Sequence, residues 1–199
     1  MENIVKILLG LTSVAGLAVI VWRLWMLRWE KVVPAAIVDA VSQTRPGEDG
    51  KTLREVCEKN PSPLGRLLRL AADHRDWPKS DNVLTVETAA RHEVVKLERG
   101  LVVLEIIVGI APLLGLVGTI IGMIGVFGDF GKTGLGTPDE AGKLASGISY
   151  ILWTTLIGLL ISIPSLIAWS YFSKKVEVLA VEMEAICDQF MRKQYSDKK

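Results

Sequence analysis

Three stretches of the 199-residue chain carry no charged side chain, while the segments between them place apolar and charged residues at helical spacing. Ile106 to Phe127 is uncharged over 22 positions, Leu144 to Phe172 over 29 and Ile7 to Trp22 over 16. About 20 apolar residues cross a bilayer's hydrocarbon core, so the first two predict transmembrane helices outright. The third is short, but Lys6 and Arg23 can extend their charges to the interface, where Trp22, Trp25 and Trp29 also belong. Three spans are expected.

Between the first two spans, Val33 to Val41 has an amphipathic helical pattern, ended by the turn-rich residues 42 to 50. Lys51 to Lys59 and Pro63 to His74 read as helices separated by Asn60-Pro61, and Trp77-Pro78 is a further break. From Asp81 the apolar positions Val83, Val86, Ala90, Val94, Leu97, Leu101 and Leu104 keep three/four spacing, so this helix is expected to run into the second span without interruption. The third span should continue past Lys174 as an amphipathic helix carrying Val176, Leu179, Val181, Met183, Ile186 and Phe190. The expected fold is an all-α membrane protein: three transmembrane helices with long helical cytoplasmic extensions. Its divisions are a first transmembrane helix at 1–28, a cytoplasmic helical region at 29–100 and a second transmembrane helix at 101–127. An external loop at 128–143, where Thr137-Pro138-Asp139-Glu140 can open a short helix, leads to a third transmembrane helix at 144–173 and a cytoplasmic C-terminal helix at 174–199.

Glycine marks the second span. Gly115, Gly118, Gly122 and Gly125 recur at three/four spacing, giving a face almost without side chains where another helix can come close, and copies of the chain are expected to pack through it. In the third span Thr155, Gly158, Ser162 and Ser165 share a face in the same way. Pro112 and Pro164 each remove a helix hydrogen bond and should kink their helices. Thr119 and Thr155 each lie roughly 15 to 18 Å below the external boundary at 1.5 Å per residue, so they can form one polar layer near the midplane. Alternatively, each hydroxyl only satisfies a carbonyl of its own helix.

Charge placement orients the chain. Of the 23 Lys and Arg residues, 14 lie between Arg23 and Arg99, six follow from Lys174 onward, and only Lys132 and Lys143 lie between the second and third spans. By the positive-inside rule the N-terminus is external and the C-terminus cytoplasmic. A cleaved signal peptide is disfavoured, because basic residues stand where a small-residue cleavage site belongs. Cys57 and Cys187 then face a reducing compartment as free thiols.

The inventory for chemistry is short. His74 and His92 lack metal spacing and read as surface residues, and no metal, cofactor or nucleic-acid site is expected. No ionisable side chain lies within the second or third span, so any proton carrier at the midplane must come from a partner. Glu105, one residue before the uncharged run, is either an interfacial anchor or an acceptor at the inner end of a polar path.

The string VLEIIVGIAPLLGLVGT at 103–119, with LASGIS at 144–149 and TLIGLLISIP at 155–164, resembles the ExbB/TolQ/MotA proton-channel family, in its three-span ExbB/TolQ form. The resemblance implies a homopentamer whose second and third spans line a pore around two single-span ExbD- or TolR-like helices. An aspartate of that partner carries the proton, and a TonB- or TolA-like protein receives the work. The family's pore threonines fall on Thr119 and Thr155. Where many relatives have a glutamate this chain has Tyr150, which stays neutral, so the outer half of the path differs here. The implied function is a motor subunit, not an enzyme, that uses the proton motive force for import or envelope maintenance. A passive helical scaffold in membrane lipid is the competing class.

Overall fold

The computed structural model describes residues 2–45, 51–133 and 138–196, with the side chains at 2, 51, 129–133, 138–141 and 143 not described. Among the described residues there is no strand. The helices are α1 (Glu2–Met26), α2 (Trp29–Val32), α3 (Ala35–Gln43), α4 (Lys51–Lys59), α5 (Pro63–Asp73), α6 (Lys79–Glu98), α7 (Leu101–Thr133) and α8 (Pro138–Gln194). Three of them, α1, α7 and α8, are long and apolar enough to cross a membrane. The chain is therefore an all-α membrane protein. It divides into two units, one of residues 1–22 and 100–171, the other of 23–99 and 172–199.

The helices run further than the uncharged stretches that foretell them. α7 continues to Thr133 and α8 begins at Pro138, so much of the stretch read as an external loop is helical. Its centre, residues 134–137, lies outside the described residues, and Thr137 of the expected helix start with it. Pro138 opens α8 because a first-turn residue needs no N–H partner. The continuous helix expected from Asp81 into the second span is interrupted. α6 ends at Glu98, Arg99 leaves the helical region at ψ 131°, and Gly100 has φ 85°, a left-handed conformation that only glycine adopts without strain. Side-chain periodicity carries across such a stop, which is why the pattern alone conceals it.

That stop explains Arg23. Expected to reach for the interface, it is instead 1% exposed and donates from Nη1 to the Leu97 carbonyl at 2.7 Å. Leu97 lies in the last turn of α6, where carbonyls lack helical partners and the helix dipole favours a cation. Trp22, Trp25 and Trp29 do remain exposed.

In the unit of residues 23–99 and 172–199, α5 is the centre. Ser62 caps it by accepting from Gly65 N at 3.0 Å, Pro63 occupies the first turn, and Leu64, Leu67, Leu68 and Ala71 are fully buried or nearly so. The far part of α8 buries Val176, Leu179, Met183, Ile186 and Phe190 of the face read from sequence, and Phe172 with them, whereas Val181, read with that face, is 62% exposed because it lies off the three/four positions. Its last residues fasten the shorter helices. Lys193 donates to the carbonyls of Val41 (2.9 Å) and Ser42 (2.7 Å) at the C-terminal end of α3. Gln194 reaches Ala71 O, Tyr195 donates to Trp77 O at 3.1 Å, and buried Asn82 donates to Ala71 O (2.9 Å) and the Tyr195 hydroxyl (3.0 Å). His74, read as a surface residue, is half-buried, with Nδ1 2.9 Å from Leu70 O and its ring 4.0 Å from that of Trp77. His92 is exposed.

Buried groups of this unit have altered proton affinities. Burial pushes the Cys57 thiol up to about 11 and the Cys187 thiol up to about 12, and both are free. Burial alone would raise the Glu93 carboxyl, but hydrogen bonds and charge from Arg66 and Lys96 outweigh it and hold the carboxyl below its usual range. A carboxyl whose folded pKa is depressed stabilises the fold above its unfolded value of about 4.3 and loses that contribution as pH falls through the folded value. We therefore expect Glu93→Gln to lower stability at pH 7 by about 1–2 kcal/mol, since Arg66 and Lys96 are largely exposed. The difference from the unmodified protein should shrink toward zero below about pH 4, as followed by thermal unfolding in detergent across pH.

Candidate functional site: the α7–α8 hairpin

In the unit of residues 1–22 and 100–171, α7 and α8 pack antiparallel along a line of small residues. A Cβ added at Gly158 would stand 2.6 Å from the Ala111 carbonyl oxygen and 3.2 Å from Gly115 Cα. One at Gly115 would meet Thr155 Cα at 3.0 Å. Further along, Gly118 lies against the Thr154 side chain, Gly122 against Ile151 and Gly147 against Val126. The glycine face of α7, expected between copies of the chain, is thus occupied by α8 of the same chain. Gly125, at its end, meets nothing within 4 Å. α1 lies against both helices: Val5 sits at Gly118, and Gly16 approaches Ile107 and Ser165. It therefore runs parallel to α8 and antiparallel to α7.

Lipid offers backbone groups no hydrogen-bond partners, so a proline within a span leaves a carbonyl to be satisfied by another group. Pro112 lies inside α7 and cannot donate to the carbonyl four residues before it, that of Val108. Ser162 of α8 donates its Oγ–H to Val108 O at 3.0 Å. Pro164 likewise lies inside α8. Nearby, Ser165 donates to Ile161 O of its own helix at 2.8 Å. Of the stripe Thr155, Gly158, Ser162 and Ser165, the first three face α7 and Ser165 faces α1.

Thr155 Oγ1 donates across the hairpin to Gly115 O at 3.3 Å, and Thr119 Oγ1 donates to Leu116 O of its own helix at 2.6 Å. Both threonines are half-buried. Since Gly115 is level with Thr155 and Gly118 with Thr154, Thr119 lies within about one turn of Thr155 along the hairpin. At about 100° per residue, Thr119, Pro112 and exposed Glu105 fall on one flank of α7, turned away from the positions that meet α1. Thr155 falls on the corresponding flank of α8. Tyr150 does not. It is about 140° around α8 from Thr155, on the side facing α1, where Lys6 donates to its hydroxyl and lies 4.8 Å from its ring centroid. The pairing across 144 residues has no local sequence signal. By contrast, the Ser162–Val108 bond could have been anticipated by counting four back from Pro112.

Most of the three long helices stays uncovered by the chain itself, with only 17%, 33% and 22% of their most apolar windows buried for α1, α7 and α8. Their remaining apolar surface must meet lipid or other chains. Among the described residues no group of three His, Cys, Asp or Glu side chains could hold a metal ion.

These features define a multi-pass helical membrane protein built on a tightly packed, hydroxyl-bearing hairpin. The model of the MotA/TolQ/ExbB proton channel family matches residues 59–185, more than half of the chain, and the chain belongs to that family. It is also 32% identical over 138 residues to the biopolymer transport protein ExbB-like 1 of Synechocystis sp.. That alignment covers 69% of this chain, and the chain spans about half of that relative, 51%. Proteins of this family are channels that act in membrane complexes.

The backbone approach makes a direct prediction. Gly158→Ala must push the Ala111 carbonyl away and should destabilise the purified protein by about 1–3 kcal/mol, the usual range for overpacking. Gly125→Ala, with open space around it, should leave the thermal midpoint in detergent unchanged or slightly raised.

Proposed function

We propose that this chain is a proton-channel subunit of a bacterial inner membrane, whose α7–α8 flank bearing Thr119 and Thr155 lines an ion path. With an ExbD- or TolR-like single-span partner it couples the proton motive force to work at the envelope, passed on by a TonB- or TolA-like protein. One observation carries the reading: two hydroxyls within about one turn of each other and on one flank of a hairpin that has no Asp, Glu, Lys, Arg or His at 106–127 or 144–172. Each hydroxyl directs its proton to a backbone carbonyl, which leaves its oxygen as an acceptor. Such an oxygen holds a protonated carboxyl or a water at the midplane without titrating itself. The partner's carboxylate then takes up a proton on the outer side, passes the threonine layer as the neutral acid and releases the proton inward, where Glu105 is the acceptor. Each charge crossing 100 mV releases about 2.3 kcal/mol. Five copies around the partner, as the resemblance implies, would cover the apolar surface the single chain leaves open.

A passive scaffold is the second reading, supported by the same two bonds, because a hydroxyl on a carbonyl also serves packing. Substitution separates them. Thr119→Val and Thr155→Val keep shape and remove the acceptor, so each should assemble with the partner yet lower gradient-driven activity at least tenfold, while Thr→Ser at either position restores most of it. Full activity in both valine variants would make the threonines packing residues alone, and a passive scaffold would show no gradient-driven activity even unmodified.

Orientation follows from the basic residues, and burial decides how to test it. The native thiols, 6% and 5% exposed and undissociated at neutral pH, should resist a membrane-impermeant maleimide even in opened cells. In a background lacking them, Lys143→Cys should label in intact cells, and Thr88→Cys, at an exposed position of α6, only after permeabilisation. The reverse pattern would place the N-terminus inside.

A further inference from the structure

Between α1 and α8 runs a groove of about 550 Å³, lined along its length by Gly10, Ser13, Leu17, Ile157, Leu160 and Pro164, with Lys6 and Tyr150 at one end. We infer that it holds a phospholipid, one acyl chain lying along the groove and the phosphate meeting the Lys6 ammonium and the Tyr150 hydroxyl. The inference needs only the membrane spans and is independent of the proton path.

Size selects the occupant. From Lys6 to Ile20 the groove follows α1 for about 21 Å, against roughly 15 Å for the hydrocarbon of one leaflet, so a chain anchored at the interface lies wholly within it. The walls suit hydrocarbon. Thr154 and Ser165, two of the hydroxyl residues along the groove, turn their protons to the Ile151 and Ile161 carbonyls of α8. Gly10 leaves the groove open, since a Cβ there would meet nothing within 4 Å. The end suits a headgroup. An ammonium has three N–H donors, so Lys6 can donate both to Tyr150 and to a phosphate, and the tyrosine hydroxyl can accept from lysine while donating to the same phosphate. Lysine and tyrosine are also residues that favour the interfacial level.

The test is native mass spectrometry of the intact protein in mild detergent with added phosphatidylglycerol. The unmodified protein should retain one lipid per chain. Gly10→Phe, which fills the groove, should lower retention at least tenfold, and Lys6→Gln should lower it severalfold. Leu11→Phe, on the outward face where Leu11 is 61% exposed, should change nothing. In the unmodified protein, a phosphatidylglycerol with a photoreactive acyl chain should attach to peptides containing Leu17 or Ile157, a readout that does not depend on any variant folding. Equal loss in Leu11→Phe, unchanged retention in Gly10→Phe or Lys6→Gln, attachment elsewhere, or an altered number of chains with lipid per chain unchanged would each overturn the assignment.

Discussion

The unit formed by α1, α7 and α8 depends on how closely the α7 and α8 backbones approach. At Gly158 and Gly115 the two helices are separated by less than a methyl group, so hydroxyls of α8 reach carbonyls of α7 that a bulkier interface would put out of range. In hydrocarbon no hydrophobic drive brings helices together; close packing and polar satisfaction do. The glycines are therefore the condition for the Thr155 and Ser162 bonds, and those bonds in turn fix the rotation of α8 about its axis. That rotation determines which residues face α1 and which face away.

A division of labour around α8 results. Its face toward α7 carries small and hydroxyl residues, its face toward α1 carries Tyr150 and large apolar residues, and the threonine flank lies between the hairpin and whatever covers it. Because Tyr150 is on the α1 side, a substitution there is free of the constraints that act on Thr155. The unit containing α5 obeys the rules of water instead. There, capping by Ser62 and Lys193, an Arg66–Glu93–Lys96 network and a continuous apolar core hold short helices that could not persist alone.

Much of this was legible from sequence because hydropathy and periodicity report burial and medium. The three spans, the ends of α4, the start of α5 at Pro63 and most of the buried face of the distal α8 all follow from local pattern. What escaped was set by backbone conformation or by distant pairing. Nothing local says that Gly100 takes positive φ, since a helical period survives the stop, and nothing near Arg23 points to a carbonyl 74 residues away. A glycine face announces close packing without naming its partner, which is why it reads as a contact between copies although α8 of the same chain fills it.

The bond from Ser162 to the Val108 carbonyl joins two residues 54 positions apart into one inherited character. While position 112 is proline, that carbonyl has no claimant in its own helix, and a hydroxyl at 162 is required to satisfy it in a dry medium. Any other residue at 112 returns an N–H to α7, the serine becomes dispensable, and position 162 is released to drift toward alanine or glycine. Across descendants of this chain the two sites should change together, proline with serine or neither.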